Sequence, residues 1–474
     1  MSRSLLPSAA QRDKARLLLE RALGPSKVLT SEDGCERFMR DESEAPGALP
    51  SAVVLAETRE DIAQTLRVAL EAEVPVTPRA AGTGRSGGAV PMQGGIVLAT
   101  LGLGRILEID RREGLAVVEP GVVLGDLHAA VEAEGWFYPP DPNSLKQCAL
   151  GGNLAENSSG PRALKYGATR DYVLGIEAIT MGGEHLQAGR SARKGVTGYD
   201  ITSLLVGSEG TLAVFERATL KLIAKPEHVM TLVALFANVQ QAAACVLELV
   251  GPALSPRCVE LLDGPTLQAL RAIGTSVAEA GALLLIEVDG SETSVETQAQ
   301  RIGDICTAGG ATSIEAAAHP AQRDRLWATR RELSYALRRC AQHKLAHDIS
   351  VPRVAMRALF EHLAQYAERQ AFQVLTYGHA GDGALHVNFL WNDDDTDHTT
   401  PRAAVAQAEA ELFARVVELG GTLSAEHGIG LVKAPYLAIE QSAALIALQT
   451  GLKRVFDPKS LLNPGKIFTR SPTA

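Results

Sequence analysis

Cysteine is sparse in this 474-residue sequence, and its spacing excludes two kinds of site. The six cysteines are scattered along the chain, and no two of them form a Cys-x-x-Cys pair. Iron–sulfur clusters and zinc ribbons depend on closely spaced cysteines, so neither is expected here. Scattered thiols are typical of proteins in a reducing compartment, which favours a cytoplasmic protein.

Long apolar runs are also missing. A membrane-spanning helix needs roughly 18 or more consecutive apolar residues, and the sequence contains no such run. The first 23 residues lack the apolar core of a signal peptide and instead predict an amphipathic helix from about Ala10 to Leu23. Within this helix Asp13 and Glu20 argue against a transit peptide. We expect a cytoplasmic protein, with peripheral attachment to the inner membrane as the alternative.

Excess positive charge is absent. The formal net charge is −9 and the pI is about 5.7, which argues against a protein that binds nucleic acid electrostatically. A composition of 46% hydrophobic and 21% charged residues is that of a globular protein. The length predicts two domains. Short apolar runs alternate with glycine-rich turns over about 50–225, and a strand–helix alternation follows the break at Lys225-Pro226.

The segment Pro78–Pro91 is a glycine-rich loop that follows a predicted strand. Gly82, Gly84 and Gly87 satisfy the spacing G-x-G-x-x-G. A dinucleotide-binding Rossmann motif requires a helix to begin here, but a second strand follows instead, which excludes that interpretation. The loop is then either an anion-binding nest of backbone N–H groups or an ordinary tight loop. Two further small-residue segments, Pro139–Gly175 and Gly207–Phe215, favour close approach of the backbone to an extended ligand.

A hairpin is predicted over Tyr377–Asn388, where Asp382-Gly383 favours a two-residue type I′ turn. The resulting register places His379 directly opposite His386, close enough for two imidazoles to share one metal ion. The polar face is then expected to point away from the core, and the apolar face to pack against it. The alternative is a solvent-facing pair of histidines. The polar face comprises Tyr377, His379, His386 and Asn388, and the apolar face comprises Ala380, Leu385, Val387 and Phe389.

The three glycine-rich segments, in this order, resemble the FAD-binding domain of the vanillyl-alcohol-oxidase-type (PCMH-type) flavoproteins. The later motifs "GHAGDGALHVN", "LSAEHGIG" and "LLNPGK" resemble the D-lactate, glycolate and D-2-hydroxyglutarate dehydrogenase branch. The resemblance implies an α+β, two-domain flavoprotein. A PCMH-type FAD-binding domain would cover 1–226, and an α/β cap domain on a largely antiparallel sheet would cover 227–421. Residues 422–474 would return to the FAD-binding domain and the active site.

The resemblance also implies which residues bind FAD. Because Pro78–Pro91 contains no histidine or cysteine, the FAD is expected to be non-covalent. The implied FAD-binding residues are Arg79, Ala80, Ala81, Gly82, Thr83, Gly84, Arg85, Ser86, Pro140, Asp141, Ser144, Gly151, Gly152, Ala155, Asn157, Ser158, Glu209, Gly210 and Asn463.

A metal and substrate site follows from the same resemblance. Glu426 would join His379 and His386 as the third ligand of a divalent metal, with zinc preferred and manganese or cobalt as alternatives. His427 would face the substrate as a base. Arg330 would bind the substrate carboxylate, with Ser334 and Asn388 as further substrate contacts.

This site would oxidise a D-2-hydroxy acid to the 2-oxo acid, with hydride transfer to flavin N5. Hydroxyglutarate-oxidising relatives often carry a lysine where this sequence has Ala346, so a D-lactate-like substrate is preferred. D-2-hydroxyglutarate and glycolate remain alternatives within the family. A metal-dependent hydrolase and a non-catalytic flavin-binding module are the alternatives from other classes. Electrons would pass to a quinone, an electron-transfer flavoprotein or a cytochrome, and a homodimer is compatible with the sequence.

Overall fold

The computed structural model describes residues 7–91, 94–317, 319–366, 372–393 and 400–469. The chain forms two compact units. Unit 1 contains residues 1–159, 168–225 and 426–474, and unit 2 contains residues 160–167 and 226–425. The short segment 160–167, which the sequence placed in the first domain, therefore groups with unit 2. Its Lys165 Nζ donates to Asp289 Oδ1 at 2.5 Å, and Tyr166 Oη donates to Asp289 Oδ2 at 2.9 Å.

Helices lie in both units, and among the described residues none is long and apolar enough to cross a membrane. In chain order they are α1 (Ala9–Leu23), α2 (Glu32–Glu36), α3 (Arg59–Ala72), α4 (Leu124–Ala133), α5 (Leu150–Glu156), α6 (Ala163–Tyr166), α7 (Ile201–Leu205), α8 (Val239–Leu249), α9 (Gly264–Ala272), α10 (Glu292–Ala308), α11 (Pro320–Leu337), α12 (Met356–Ala364), α13 (Thr400–Glu418), α14 (Leu437–Glu440) and α15 (Ala443–Phe456).

Strands alternate with these helices along the chain. In chain order they are β1 (Val28–Leu29), β2 (Ala52–Leu55), β3 (Val76–Arg79), β4 (Ile96–Ala99), β5 (Ile106–Asp110), β6 (Leu115–Val118), β7 (Trp136–Phe137), β8 (Val173–Ile179), β9 (His185–Gly189), β10 (Val214–Lys221), β11 (Ile223–Ala224), β12 (His228–Phe236), β13 (Cys258–Asp263), β14 (Ala282–Gly290), β15 (Ala311–Ala316), β16 (His343–Ser350), β17 (Gln373–His379) and β18 (Ala384–Trp391).

Unit 1 is built on two main sheets. The first has the order β1-β2-β4-β3, in which β2, β4 and β3 run parallel and β1 is antiparallel. The second is antiparallel, with the order β5-β6-β10-β8-β9. Helix α3 begins with a capping box between Thr58 and Asp61, and its apolar face packs on the first sheet through Ile62 and Leu66. The predicted amphipathic helix α1 packs on the same core through Leu19.

Unit 2 is built on one seven-stranded sheet with the order β15-β12-β14-β13-β17-β18-β16. Every neighbouring pair in it is antiparallel, so the predicted cap sheet is confirmed. Helices α9 and α11 pack against one face through a cluster that includes Leu267, Leu333 and Leu375. One face of α11 carries Trp327, Arg330 and Ser334. These side chains form hydrogen bonds with residues of β14, β13 and β16, respectively. This face positions the candidate site.

Candidate active site

The hairpin of β17 and β18 carries both histidines, but its register differs from the predicted one. His379 pairs with Ala384, and His386 pairs with Tyr377. The predicted two-residue type I′ turn is wrong, because a 3₁₀ turn over Ala380–Asp382 followed by left-handed Gly383 makes the connection longer. The pairing is shifted by two positions in total, which keeps both histidines on the same face of the sheet. Their ring centroids lie 5.5 Å apart.

The histidine face is buried, which corrects the expectation that it points away from the core. His379 is 3% exposed, His386 is 6% exposed and Asn388 is fully buried. The sequence pattern suggested one apolar and one polar face, but helices α9 and α11 cover the polar face as well. The alternative of a solvent-facing histidine pair is therefore also wrong. Buried imidazoles on a covered face need polar partners.

Glu260, which the sequence analysis missed, provides one such partner. Its Oε1 lies 2.6 Å from His379 Nδ1, and its Oε2 accepts a hydrogen bond of 2.6 Å from Arg330 Nε. Burial opposes ionisation of Glu260, but the charges of Arg330 and His379 and the hydrogen bonds from both outweigh it and hold the pKa of the carboxyl below its usual value. Its signal in the sequence was an acidic residue in the middle of the apolar run "RCVELLD".

Arg330 lies on α11 and is 2% exposed. Its guanidinium also stacks over the ring of Tyr377, with its Cζ 5.0 Å from the ring centroid. Nη2 forms an ion pair of 2.5 Å with Glu260 Oε2, whereas Nη1 is buried and makes no hydrogen bond with any described residue. A buried N–H without an acceptor is costly, so this edge of Arg330 is suited to bind an anionic ligand.

Ser334 and Asn388 have defined partners. Lys344 Nζ donates to both Ser334 Oγ and Ser334 O at 2.8 Å. The amide of Asn388 donates to Leu375 O and His386 O, and its Oδ1 is buried without a hydrogen bond among the described residues. Ala346 pairs with Asn388 across β16 and β18, so it lies on the same face as the histidines.

Glu426 follows a segment that β16 holds in place. Asp348 accepts hydrogen bonds from Ser424 Oγ and from Ala425 N, the latter at 2.9 Å. His379 and His386 bring two buried imidazoles to unit 2, and Glu426 is the third predicted metal ligand. Two imidazoles and one carboxylate are a common ligand set for a divalent ion. Ser159 Oγ also donates to Glu426 Oε2 at 3.0 Å.

His427 precedes a tight turn in unit 1. Its Nε2 lies 3.8 Å from Glu426 Oε1. The turn continues through Gly428, which has a left-handed φ of +81°. Glu209 holds the next two residues, because its carboxylate accepts Ile429 N at 2.8 Å and Gly430 N at 2.6 Å. Both oxygens of Glu209, a predicted FAD ligand, thus contact the turn that follows His427.

The three glycine-rich segments of unit 1 come together around Asn463. Its Nδ2 donates to Gly88 O at 2.9 Å and to Glu209 O at 2.8 Å, and Glu209 N donates to Ala155 O. Arg79 ends β3 and donates to Arg40 O at 2.8 Å, so its guanidinium supports the loop. The loop after β3 contains Ala80, Ala81, Gly82, Thr83, Gly84, Arg85 and Ser86; the turn before β10 contains Glu209 and Gly210.

The remaining predicted FAD residues surround α5. Pro140, Asp141 and Ser144 precede this helix, Gly151, Gly152 and Ala155 lie within it, and Asn157 and Ser158 follow it. Several buried polar atoms of unit 1 have no hydrogen bond among the described residues, which fits a polar cofactor lying along these loops. Those close to the predicted cofactor loops include Ser86 Oγ, Asn153 Nδ2, Ser208 Oγ and Asn463 Oδ1.

Two family regions match this chain. Residues 50–189 match the FAD binding domain, and residues 225–467 match the C-terminal domain of FAD linked oxidases. The chain is 39% identical to the glycolate oxidase subunit GlcD of Bacillus subtilis over 453 residues, covering 94% of this chain and 95% of the relative. It is 33% identical to the D-lactate dehydrogenase of Anaerostipes hadrus over 455 residues, covering 94% and 95%.

The fold is similar to that of p-cresol methylhydroxylase with substrate bound, with a TM-score of 0.82. The likeness covers 98% of this chain and 99% of that structure at 16% identity, which supports the fold alone. The predicted PCMH-type architecture is therefore confirmed. The two matched regions, and the 39% identity over nearly the whole chain, place this protein in the FAD-linked oxidase family as an FAD-dependent oxidoreductase.

Proposed function

We propose that this protein is a dehydrogenase that oxidises a D-2-hydroxy acid to the 2-oxo acid. The observation that carries the proposal is the buried Arg330 of α11, whose Nη1 makes no hydrogen bond with any described residue and which packs against the sheet face that holds His379 and His386. A 2-hydroxy acid offers a carboxylate for the arginine and a hydroxyl for a neighbouring base or metal ion.

Each residue would have a distinct task in this reaction. Arg330 binds the carboxylate, and His427 accepts the proton of the C2 hydroxyl. His379, His386 and Glu426 would hold a divalent ion, with zinc preferred and manganese or cobalt as alternatives. When bound, the metal ion supplies a Lewis acid for the hydroxyl, and FAD supplies a hydride acceptor.

The substrate we propose is small and D-lactate-like. The side chain of Ala346, on the histidine face, offers no charge to a second substrate carboxylate. Lys344, two positions before it, donates to Ser334 Oγ and Ser334 O. D-2-hydroxyglutarate is the alternative, in which Lys344 would pair with the second carboxylate. Comparing kcat/KM for D-lactate, glycolate and D-2-hydroxyglutarate decides between them.

The cofactor is expected to be released by acid. The loop 78–91 contains no histidine or cysteine that could form a covalent bond to the flavin. Acid precipitation of the purified protein should therefore leave the yellow colour in the supernatant. Colour that stays with the precipitated protein would contradict non-covalent binding.

Gly428→Ala is expected to lower kcat/KM about 100-fold, because moving a catalytic group by about 1 Å has an effect of this order. An added Cβ would lie 2.3 Å from Glu156 Oε2 and 3.0 Å from Glu209 Oε1, and the φ of +81° is strained for alanine, so we expect the turn after His427 to be displaced. Gly451→Ala is the matched control, because a Cβ at this position in α15 meets no atom within 4 Å. Equal activity of the two variants, each with FAD bound, would contradict this role of the turn.

Electrons would leave to a quinone, an electron-transfer flavoprotein or a cytochrome. We place the enzyme in the cytoplasm, with peripheral attachment to the inner membrane and a homodimer as further proposals. The membership in an FAD-linked family argues against a metal-dependent hydrolase. A non-catalytic flavin-binding module would leave the buried Arg330 and the histidine pair without a use.

Turnover with an artificial electron acceptor tests the proposed function. The purified protein should reduce the dye and form pyruvate when given D-lactate. A protein that retains FAD but forms no 2-oxo acid from any D-2-hydroxy acid would overturn the proposal.

A further inference from the structure

Glu260 lies in the middle of β13, with apolar Val259 and Leu261 on either side, and it is fully buried. Burying a carboxylate costs several kcal/mol unless both oxygens have partners. Here each oxygen serves a different functional group. Oε1 lies 2.6 Å from His379 Nδ1, and Oε2 accepts Arg330 Nε at 2.6 Å.

The contact with His379 determines which ring nitrogen can bind a metal ion. Leu261 pairs with Gly378 across β13 and β17, and this register brings the adjacent residues Glu260 and His379 close to each other. An ionised carboxylate only accepts hydrogen bonds, which requires the proton of a neutral imidazole on Nδ1. The lone pair is then on Nε2, the nitrogen available to a metal ion.

The contact with Arg330 determines which edge of the guanidinium can bind substrate. Nε and Nη2 both face Glu260 Oε2, and the ring of Tyr377 covers the guanidinium plane. Neither Nη1 nor Nη2 has a hydrogen bond of good geometry among the described residues, but Nη2 lies in the ion pair with Glu260, so Nη1 is the edge that faces a ligand without a partner there. Held on two sides, the guanidinium has little freedom to turn, which reduces the entropy lost when a carboxylate binds.

We propose that Glu260 is the positioning residue of this site, which orients the metal ligand His379 through one oxygen and the substrate arginine Arg330 through the other. This inference rests on the proposed function. It adds that the carboxylate of Glu260 helps to position both the metal ion and the substrate.

Glu260→Gln tests the inference, because the glutamine amide has one oxygen and can accept from only one of the two partners in the same way. We expect Mn²⁺ alone to bind about 10–100-fold more weakly, the range typical for loss of an outer partner of a metal ligand. KM for the substrate should rise at least about tenfold, while the flavin absorption spectrum stays unchanged. Glu287→Gln is the matched control, since Glu287 is also buried, lies on the neighbouring strand, and accepts from Trp327 and Thr231 instead.

The double variant Glu260→Gln/Arg330→Met separates the effect of Glu260 on His379 from its effect on Arg330. The loss of Mn²⁺ affinity should persist in the Arg330→Met background, because it acts through His379. The KM of the double variant should be no higher than that of Arg330→Met alone, because both changes weaken the same interaction between Arg330 and the substrate carboxylate. A protein that is only destabilised would show neither pattern.

The tautomer of His379 gives a second measurement that needs no variant of Glu260. ¹⁵N NMR of the metal-free wild-type protein, with His379 assigned by substitution, should show the proton on Nδ1. A proton on Nε2, or wild-type Mn²⁺ affinity and KM in Glu260→Gln, would overturn the inference. If the wild-type protein bound no divalent ion, the metal part of the proposed function would fail. The KM of Glu260→Gln would still test whether Glu260 orients Arg330.

Discussion

Chelation of the proposed metal ion, or the substitution His386→Ala, should lower the rate of flavin reduction by a D-2-hydroxy acid about 100-fold or more. The reason is that His379, His386 and Glu426 would hold the ion that acidifies the substrate hydroxyl. The flavin spectrum should change little, because the predicted FAD residues lie in other segments of the chain. Stopped-flow absorbance measures the rate of flavin reduction, and elemental analysis measures the metal content of the protein.

Adding a divalent metal ion back distinguishes chelation from the His386→Ala substitution. Zn²⁺, Mn²⁺ or Co²⁺ should restore the chelated wild-type protein but not His386→Ala. His343→Ala is a matched control on the adjacent strand β16, because His343 is partly exposed and stacks on Trp391. It should retain metal and activity. Active, untagged protein without a stoichiometric divalent ion, and with turnover that resists chelators, would contradict the metal site.

Arg330→Met should lower kcat/KM by a factor of ten or more while FAD stays bound. A hydrogen bond to a charged group contributes about 1.5–3 kcal/mol, and every 1.4 kcal/mol corresponds to roughly a factor of ten. The change also leaves the carboxylate of Glu260 with one partner fewer in a fully buried position. Steady-state kinetics with D-lactate, together with flavin quantification, measures the effect.

Arg331→Met provides the control for the arginine. Arg331 follows directly in α11 but stacks over Trp327, with its Cζ 5.5 Å from the ring centroid, so its loss should leave kcat/KM nearly unchanged. A large loss from Arg331→Met, together with a silent Arg330→Met, would show that the neighbouring arginine binds the carboxylate.

The hairpin shows how far local sequence patterns reach. The alternation of side chains along a strand correctly predicts that His379 and His386 lie on one face of the sheet. This prediction holds because moving the pairing by two residues leaves every side chain on the same face. The register depends on the turn, where Gly383 N donates to Ala380 O and an added Cβ at Gly383 would lie 2.0 Å from Val351 O. Val351 lies in a different segment, so local turn preferences alone could not predict this geometry.

Burial of the histidine face and the role of Glu260 required long-range information. Glu260 and His379 are 119 residues apart in the sequence, and Glu260 and Arg330 are 70 apart. Helix α11 contributes Trp327, Arg330 and Ser334 to this face, although its own sequence does not indicate which sheet it covers. The glycine-rich loops of unit 1 could be identified because their composition is itself unusual, whereas their support by Asn463 could not.

An anaerobic absorbance titration with matched D- and L-2-hydroxy acids tests the central claim most directly. The purified protein, with its FAD bound, is mixed with each acid in the absence of oxygen and of any electron acceptor. We predict that D-lactate or a related D-acid bleaches the oxidised flavin band in a single turnover, whereas the L-enantiomers leave it unchanged. An oxidised flavin band that persists with every D-2-hydroxy acid, in protein that carries stoichiometric FAD and metal, would contradict the account.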